Sequence, residues 1–288
     1  MNYAQKGNAV ILTDYNSFSI EETLECGQCF RFIKIAEREY IIIAHSKVLS
    51  ILDKGNEVHF FPCDIDEFES IWINYFDLKR NYREIKEILC ERDEVLQKAS
   101  AYANGIRILN QQSYECLISF IISQNNRIPM IKQVIKNICE FYGEGIGDFN
   151  AFPEPEKLVN LSEAELRECK AGFRAKYILD ATRKVCDRNG GFLKEVDEAD
   201  TETARKILMN IKGVGPKVAD CVLLFSFGRH EVFPTDVWIK RVVEQLYFSG
   251  EQLSIKEIQQ FSSEKFGEYA GYAQQYLFHY ARSEQIGK

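Results

Sequence analysis

The sequence predicts an α+β protein that is mainly helical and carries an antiparallel β-sheet at its N-terminal end. Its 288 residues suffice for two modest domains, and 45% of them are hydrophobic, which is enough for sizeable cores. Short β-prone runs separated by turn signals fill the chain to about residue 65, and helical spacing of apolar residues follows. We therefore expect an N-terminal sheet domain with flanking helices over residues 1–98 and a helical domain over residues 99–288.

The N-terminal sheet is predicted from short runs rich in β-branched and aromatic residues. Turn-forming stretches such as Lys54-Gly55-Asn56 separate these runs, which favours a small antiparallel sheet. The pattern changes from strand to helix at about Asp64. The predicted strands are Asn8–Leu12, Gln28–Ile35, Glu39–Ala44, Lys47–Leu52 and Glu57–Phe61.

Apolar periodicity and capping signals predict the elements of the remaining chain. Ser162 and Glu165 form a capping box for a helix that starts near Glu163. A glycine-rich turn is expected over Gly143–Gly147, and Gly190-Gly191 is expected to end the helix that begins at Ala175. The other predicted helices are Phe68–Asp77, Tyr82–Leu89, Tyr114–Ile122, Met130–Tyr142, Ala175–Asn189, Thr201–Met209, Pro216–Ser226, Asp236–Tyr247, Ser254–Phe266 and Ala270–Ala281.

Composition argues against several broad classes of protein. No apolar stretch reaches the roughly 18–20 residues that span a bilayer, and no basic segment precedes an apolar run at the N-terminus, so we expect no membrane association. We expect the protein to stay in the compartment where it is made. The net charge of −7 argues against coating nucleic acid through bulk charge. It permits a small DNA footprint made by backbone amides and a few local cations.

The nine cysteines do not form a metal-binding pattern. Without a secretory signal we expect a reducing compartment and no disulfides. Cys26 and Cys29 form a C-x-x-C pair, but two further ligands at suitable spacing are missing, and so is a histidine pair. A redox protein built on this pair is an alternative that has no supporting fold pattern. Because no cysteine follows Cys221, a four-cysteine cluster near the C-terminus is excluded.

The most informative stretch covers residues 208–221 and reads L-M-N-I-K-G-V-G-P-K-V-A-D-C. A helix is predicted to end before the turn Gly213-Val214-Gly215, and Pro216 occupies the first position of the next helix. Glycine lets the turn approach a ligand closely, and the new helix offers unpaired N–H groups to an anion. These features favour a helix–hairpin–helix that binds a DNA phosphate. An ordinary αα-hairpin is the alternative, since Gly-x-Gly alone is common.

Two polar residues near this hairpin, Lys217 and Asp236, are candidate catalytic residues. Lys217 lies in the first turn of the second helix, where the positive helix end should lower the pKa of its ammonium group and favour the nucleophilic amine. An ordinary surface lysine is the alternative, although the positive helix end disfavours a charged ammonium group at this position. Cys221 follows four residues later on the same helical face. Asp236 comes 19 residues after Lys217, behind Phe233-Pro234-Thr235, where capping the next helix would alone explain it.

The helix, the G-V-G-P-K hairpin and the F-P-T-D segment together resemble the helix–hairpin–helix (HhH-GPD) glycosylase superfamily. The lysine at the hairpin resembles the bifunctional glycosylase/lyase branch, and the chain is most similar there to 8-oxoguanine DNA glycosylases. The missing C-terminal cysteine cluster argues against the iron–sulfur branches, and Lys217 argues against the alkyl-purine branch. The resembling segments are G-Q-C-F-R-F at 27–32, S-Q-N-N at 123–126, G-F-R-A-K-Y at 172–177, K-V-A-D-C at 217–221 and Y-A-G-Y-A-Q-Q-Y-L-F at 269–278.

This resemblance implies a base-excision-repair DNA glycosylase with abasic-site lyase activity. It implies two helical subdomains with the DNA and base site between them, a duplex DNA partner that contains 8-oxoguanine, and a monomeric enzyme. No cofactor and no iron–sulfur cluster are expected, while a monovalent cation at the hairpin is compatible with the pattern. Lys217 is expected to attack the anomeric carbon and form a Schiff base, and Asp236 to stabilise the positive charge that develops on the sugar.

The resemblance also implies which residues hold the flipped base. The backbone carbonyl of Gly27 is expected to accept the N7–H that 8-oxoguanine has and guanine lacks, which is worth about 1–3 kcal/mol of discrimination. Gln274 is expected on the Watson–Crick edge, Phe278 and Cys221 on the two faces of the base, and Phe225 in the same pocket. Core packing is the alternative for Phe278 and Cys221, and a solvated helix face is the alternative for Gln274.

Contacts with the rest of the DNA are implied at the hairpin and at five further positions. Three of those positions depart from the family pattern. Met130 stands where an arginine that reads the opposite cytosine is expected, Phe173 replaces a tyrosine wedge, and Trp238 replaces a histidine near a phosphate. These departures leave the chemistry intact and put strict selection of the opposite base in doubt. The implied DNA-binding residues are Gly213, Val214, Gly215, Asn125, Arg174, Phe173, Met130 and Trp238.

Two alternatives lie within DNA repair itself. One is an HhH glycosylase for another damaged purine, such as an alkylated one, which Lys217 disfavours. The other is a non-catalytic HhH DNA-binding module. The pairing of Lys217 with Asp236 and the Gly27 segment argue against that alternative.

Overall fold

A computed structural model describes residues 1–15, 17–91, 93–187 and 191–287 of the protein. It has the predicted α+β architecture, in which an N-terminal sheet precedes a mainly helical region. A small hairpin formed by Gly145–Ile146 and Phe149–Asn150 lies within the helical part. The strands of the main sheet are Asn2–Lys6 (β1), Ala9–Thr13 (β2), Phe32–Ala36 (β3), Glu39–Ala44 (β4), Lys47–Asp53 (β5) and Val58–Phe61 (β6).

The main sheet is antiparallel and has the strand order β1-β2-β6-β5-β4-β3. Residues alternate between a buried and an exposed face, as Leu49 and Ile51 of β5 show, since both are fully buried. Aromatic side chains from the next segment cover the buried face: the rings of Phe60 and Phe68 are 5.0 Å apart, and those of Phe60 and Phe76 are 5.9 Å apart. The sheet therefore forms one core with the first helical segment of the chain.

Helices make up most of the chain after the sheet. A π-helical turn at Phe68–Trp72 and 3-10 turns at Gly172–Arg174 and Gly267–Tyr269 complete the helical structure. The α-helices are Ile20–Glu25 (α1), Ile65–Glu67 (α2), Ile73–Tyr75 (α3), Tyr82–Cys90 (α4), Glu94–Tyr102 (α5), Ser113–Ser123 (α6), Ile128–Tyr142 (α7), Pro155–Leu158 (α8), Glu163–Glu168 (α9), Ala175–Cys186 (α10), Gly191–Glu198 (α11), Thr201–Met209 (α12), Pro216–Ser226 (α13), Val237–Tyr247 (α14), Ile255–Phe266 (α15) and Ala270–Ser283 (α16).

Two hydrophobic cores organise the molecule. The sheet and the segment up to Leu78 build the first core, and the helices from α4 onward build the second, to which Cys26 and Phe30 also contribute. The loop that carries Cys26 and Phe30 thus leaves the sheet region and enters the helical core. The predicted domain boundary at residue 98 stays a prediction, and residue 98 lies inside α5.

Two predicted strands differ from the observed ones for identifiable reasons. The prediction over Gln28–Ile35 starts too early, because the fully buried Gln28 side chain bonds to distant backbone groups and the strand begins only at Phe32. Strand β1 was not predicted, because most of its residues are exposed and lack alternation. Its only local signal is the two-residue turn at Gly7-Asn8 that joins it to β2.

Several helices also differ from the predictions. Helix α10 ends at Cys186 rather than at Asn189, and Gly191 starts helix α11 instead of ending the preceding one. The predicted ending at Asn189 and Gly190 lies outside the described residues. Helices α1, α5, α8 and α11 were not predicted. The capping box of Ser162 and Glu165 is confirmed, with the reciprocal bonds in place.

Candidate active site

A cavity of about 190 Å³ lies where helices α13, α14 and α16 meet the loop that enters from the sheet. Its walls come from segments separated by about 250 positions in the chain, so only the tertiary fold brings them together. All the residues for which a catalytic or base-binding role was predicted line this cavity. They are Gly27, Lys217, Cys221, Phe225, Asp236, Gln274 and Phe278.

The hairpin before α13 has the geometry that its glycines predict. Val214 N–H donates to the carbonyl of Ile211 at 3.0 Å, which closes the turn. Gly213 adopts φ +80°, and a Cβ atom built there would lie 2.6 Å from the ring of Tyr177. Glycine is therefore required at position 213 both for its backbone conformation and for the close approach of Tyr177. Pro216 starts α13, whose N-cap residue Gly215 supplies no side-chain cap.

Lys217 occupies the first turn of α13, and its amine lies 5.3 Å from the centre of the Phe120 ring. The thiol of Cys221 lies one turn further along the helix, near the Lys217 amine. Burial raises the pKa of the Cys221 thiol to about 11, although the nearby Lys217 charge acts in the opposite direction. Cys221 is thus a neutral, apolar wall of the cavity at neutral pH, and its thiol is a poor nucleophile there.

A buried ion pair also fixes α13 to α12. Nε of Arg205 lies 2.6 Å from Oδ1 of Asp220, whose side chain is 2% exposed. Burial raises the pKa of Asp220, and the Arg205 charge opposes that shift. This pair sets the orientation of the helix that carries Lys217.

Asp236 precedes α14, and its side chain both caps this helix and lines the cavity. Its Oδ1 accepts the backbone N–H of Ile239 at 2.8 Å, which caps the helix as predicted. The side chain is half-buried and lines the same cavity as Lys217. The cap holds one carboxylate oxygen in place at the positive end of a helix, where a negative charge is favoured.

The loop at Gly27 is held rigidly by the side chain of Gln28. Gly27 adopts φ +85°, and a Cβ atom there would lie 3.4 Å from Cε1 of Phe278. Nε2 of Gln28 donates to the carbonyls of Arg107 at 2.7 Å and Thr23 at 2.8 Å, and its Oε1 accepts the N–H of Leu109 at 2.9 Å. These bonds hold the Gly27 backbone beside the Phe278 ring.

Helix α16 supplies the remaining polar wall of the cavity and its aromatic edge. Gln274 is 4% exposed, and its Oε1 accepts a hydrogen bond from Nε2 of Gln275 at 2.6 Å. The rings of Phe278 and Trp238 meet edge to face at 4.8 Å. The indole N–H of Trp238 donates to the carbonyl of Ile286 at 3.0 Å. Trp238 therefore supports Phe278 from behind, while its N–H group is bonded to the chain itself.

Four of the eight residues with predicted DNA contacts are exposed, namely Gly213, Asn125, Phe173 and Met130. Phe173 is 49% exposed, Met130 is 44% exposed, and Asn125 is exposed with φ 47°. Arg174 differs, because it is only 8% exposed and its Nε donates to the carbonyl of Gln124 at 2.9 Å, while its Nη2 donates to that of Asn125 at 3.0 Å. Arg174 thus shapes the loop that presents Asn125.

An aromatic row connects the exposed Phe173 with the hairpin. The rings of Phe173 and Tyr177 meet edge to face with centres 6.1 Å apart, and Tyr177 packs beneath Gly213. Gly213 is exposed, Val214 is 5% exposed, and Gly215 is half-buried. The predicted wedge and the predicted phosphate-binding turn are therefore parts of one packed unit.

The structure adds contributors that the sequence analysis missed. Phe120 lies beside the Lys217 amine, Gln28 orders the Gly27 loop, and Gln275 bonds to Gln274. Gln28, Tyr177 and Gln275 lie inside the segments that resemble the glycosylase family, which was an available signal. Phe120 had none, because it lies in a continuous apolar helix whose side chains are nearly all buried.

Across 1–15, 17–91, 93–187 and 191–287, no group of three or more His, Cys, Asp or Glu side chains is placed to hold a metal ion. Cys26 and Cys29 are buried, and burial raises the pKa of both thiols, that of Cys26 to about 12. No described helix combines the length and the apolar character that crossing a membrane requires.

Comparison with known proteins identifies the family. Residues 10–117 match the N-terminal domain of 8-oxoguanine DNA glycosylase, and residues 118–268 match the HhH-GPD superfamily of base excision DNA repair proteins. The chain belongs to the HhH-GPD superfamily. The N-terminal match places it among the 8-oxoguanine glycosylase/lyases of that superfamily, and the predicted resemblance is confirmed.

Individual relatives of this HhH-GPD protein agree with that placement. The chain is 32% identical to a probable N-glycosylase/DNA lyase of Methanothermobacter thermautotrophicus over 72% of each chain. It is 30% identical to the N-glycosylase/DNA lyase of Saccharomyces cerevisiae, over 93% of this chain and 83% of the relative. A Clostridium acetobutylicum 8-oxoguanine glycosylase/lyase, solved with duplex DNA containing cytosine opposite 8-oxoguanine, is 40% identical, with a TM-score of 0.94 over 99% of both chains.

Proposed function

We infer that this protein is a bifunctional base-excision-repair enzyme, an 8-oxoguanine DNA glycosylase and abasic-site lyase. The observation that carries this conclusion is the single cavity lined by the Lys217 amine, the Asp236 carboxylate and the Gly27 backbone. The names of the N-glycosylase/DNA lyase relatives and of the 8-oxoguanine glycosylase/lyase neighbour agree with it. A non-catalytic DNA-binding module would not need an amine and a carboxylate in one buried cavity.

The reaction begins with rotation of the damaged nucleotide out of the duplex, because a stacked base hides its glycosidic bond. Cleavage of that bond builds positive charge on the sugar, which the Asp236 carboxylate stabilises. The Lys217 amine bonds to the anomeric carbon as the base leaves with the bond electrons. Loss of a proton and opening of the sugar ring give the Schiff base, from which β-elimination releases the 3′ phosphate.

Selection of 8-oxoguanine over guanine depends on the Gly27 carbonyl. 8-Oxoguanine presents an N–H at purine position 7, and guanine presents a lone pair there. The Gly27 carbonyl, which Gln28 holds in place, accepts the N–H of 8-oxoguanine and repels the lone pair of guanine. The binding free energy of guanine in the pocket is therefore less favourable by about 1–3 kcal/mol. The positive φ of Gly27 and its closeness to Phe278 support this role, because a side chain there would crowd the aromatic face of the pocket.

Double-stranded DNA is the proposed partner of the exposed surface around the hairpin. The amides at the start of α13 suit a phosphate, and the exposed side chains of Phe173, Asn125 and Met130 suit contacts with the opened duplex. We further propose that the enzyme acts as a monomer without a cofactor or an iron–sulfur cluster. A monovalent cation bound at the hairpin stays a prediction. The proposed location is the cytoplasm of a bacterium or archaeon, or the nucleus of a eukaryote.

Cleavage of a labelled duplex with one 8-oxoguanine tests the proposed function. The native enzyme should cut this strand, leave a duplex with guanine at the same position intact, and form a covalent adduct when borohydride reduces the Schiff base. An enzyme that spares 8-oxoguanine and removes an alkylated purine instead would contradict the proposal.

The Lys217→Gln variant identifies the nucleophile. We expect it to lose both base excision and borohydride trapping, because an amide cannot form the Schiff base. Its affinity for the damaged duplex, measured by fluorescence anisotropy, should remain, because the hairpin and the pocket are unchanged. A trapped adduct in this variant would show that another amine is the nucleophile.

A further inference from the structure

The loop that leads from α13 to α14 delivers Asp236 to the cavity, and its last residues alternate between two surroundings. Pro234 and Asp236 line the cavity of about 190 Å³ described above, which we call the active-site cavity. Phe233 and Thr235 contact α15 instead. The ring of Phe233 stacks on that of Phe266 with centres 6.0 Å apart, and Thr235 lines a second cavity of about 420 Å³. The place of the Asp236 carboxylate therefore depends on how this loop is held against α15.

Gln259 of α15 makes polar contacts with this loop. Its Nε2 donates to the carbonyl of Phe233 at 2.8 Å and to the hydroxyl of Thr235 at 2.9 Å. The Thr235 hydroxyl donates in turn to the same Phe233 carbonyl at 2.8 Å. One amide group thus joins the backbone and a side chain of the loop in a closed set of three hydrogen bonds.

The loop fixes which end of the Gln259 amide faces it. A backbone carbonyl can only accept, so exchanging the amide oxygen and nitrogen would set two carbonyl oxygens 2.8 Å apart. The Thr235 hydroxyl gives its only proton to the Phe233 carbonyl, so it also needs a donor from Gln259. Both contacts therefore require an NH₂ group at this position of α15.

Gln259 does not itself reach the reacting groups. Among the residues that the structure describes, it lines the second cavity and is not part of the wall of the active-site cavity. Asp236 directly follows Thr235, and its Oδ1 accepts the N–H of Ile239 at 2.8 Å. The cap thus fixes the carboxylate relative to α14, and Gln259 fixes the path of the chain that enters the cap. An effect of Gln259 on the reaction must pass through this loop.

We propose that Gln259 is a positioning residue, which holds the loop at 233–235 and thereby sets the place of the Asp236 carboxylate in the active-site cavity. This inference rests on the proposed function, since it needs Asp236 to stabilise the charge that develops during excision. The carboxylate then has supports from two helices, α14 through the cap and α15 through Gln259. Such stabilisation requires a group that is fixed in place before the reaction, so a looser loop slows bond cleavage and leaves DNA binding unchanged.

The Gln259→Met variant tests this role, and Gln260→Met is its matched control. Methionine keeps the length of the side chain and removes the donor. We expect single-turnover excision of 8-oxoguanine to slow about tenfold or more, while the affinity for the damaged duplex, measured by anisotropy, stays within about twofold of the native value. Gln260 is exposed on the same helix and bonds to Glu264 at 2.8 Å, so its variant should excise at the native rate.

A double variant distinguishes positioning of Asp236 from a general weakening of the structure. If Gln259 acts through Asp236, removing the Asp236 charge leaves Gln259 little to position. Gln259→Met combined with Asp236→Asn should then excise within about threefold of the rate of Asp236→Asn alone. Rate losses that multiply would show that Gln259 acts independently of Asp236, and they would overturn the inference. Gln259→Leu provides the same comparison if the methionine variant does not fold.

The outcomes separate this inference from the proposed function. Failure of the native enzyme to excise 8-oxoguanine would overturn the proposed function itself. Normal excision by the native enzyme, together with a native rate in Gln259→Met or a parallel loss of its duplex affinity, would overturn only the positioning role of Gln259.

Discussion

Asp236 shows how one side chain can both stabilise a helix and serve a reaction. It caps α14 through one oxygen and lines the cavity with Lys217. Asn caps a helix about as well as Asp but carries no charge. We therefore expect Asp236→Asn to slow single-turnover excision at least about a hundredfold, since the developing charge loses its stabilising partner. Thermal unfolding should change little, whereas parallel losses of rate and stability would mean that Asp236 is only a cap.

Met130 bears on the base opposite the lesion. It is 44% exposed near the start of α7 and has no group that donates a hydrogen bond to cytosine. A good bidentate contact is worth roughly 1–3 kcal/mol of discrimination, so its absence should flatten the ranking of opposite bases by about one to two orders of magnitude relative to an arginine-bearing relative. Met130→Arg should restore part of the preference for cytosine.

The measurement for Met130 is excision of 8-oxoguanine opposite each of the four bases by the native and variant enzymes. Excision opposite cytosine that is already hundreds of times faster than opposite adenine in the native enzyme would show that Met130 does not decide the preference. Met130→Leu is the matched control, because it keeps the apolar character and should leave the ranking unchanged.

The hairpin is the element on which the proposed DNA contact depends, and its two glycines are not equivalent. Gly213 has φ +80°, and a Cβ atom there would lie 2.6 Å from the ring of Tyr177, whereas a Cβ atom at Gly215 would meet nothing within 4 Å. Gly213→Ala should therefore cost about 1–3 kcal/mol of stability, because both the backbone and Tyr177 must shift. It should also weaken duplex binding about tenfold, as the aromatic row that reaches Phe173 is displaced.

Urea unfolding and anisotropy titration of the duplex measure these two effects. Gly215→Ala is the matched control for stability, since its φ of −99° suits alanine and its surroundings are open. Native stability in Gly213→Ala would mean that Tyr177 can move aside without cost.

Among the secondary-structure elements, the sequence predicted those that carry a local signal, such as a capping residue or a proline at the first helical position. Helices α12 and α13 have the predicted bounds, because a capping Asp200 precedes one and Pro216 starts the other. Helix α5 has an Asp93 cap, yet its apolar periodicity is weak and it was missed. It packs extensively against α16, which local sequence cannot show. Helices and strands that depend on such long-range contacts cannot be predicted from local sequence patterns.

At the scale of the whole molecule, the cavity depends on contacts between distant parts of the chain. Gly27 meets Phe278, and the side chain of Gln28 reaches Arg107 and Leu109 in another segment. Composition and periodicity do not encode such contacts. The family resemblance predicted the residues with catalytic or base-binding roles that line the cavity, whereas Phe120 and the supporting bonds of Gln28 and Gln275 required the structure.

His230 links the end of α13 to the start of α16 and should make the stability of the whole molecule depend on pH. Its ring stacks on Tyr272 at 4.9 Å, and its carbonyl accepts the N–H of Gly271 at 2.7 Å. Burial and, to a smaller extent, the nearby Arg80 charge lower the pKa of His230 to about 4, while Glu231 opposes the shift. In the unfolded chain the pKa is about 6.5.

The sign of the effect follows from these two pKa values. As the pH falls below about 6.5, the unfolded chain binds the proton first, so the free energy of unfolding decreases until the folded state is also protonated near pH 4. The full effect is about 3 kcal/mol. His45 and His279 have pKa values lowered by burial and act in the same direction.

Urea unfolding of the native protein and of the His230→Phe variant, from pH 7.5 to 4.5, isolates the contribution of His230. The variant keeps an aromatic ring beside Tyr272 and should lose less stability over this range, and two curves of equal slope would show that His230 is not the titrating group.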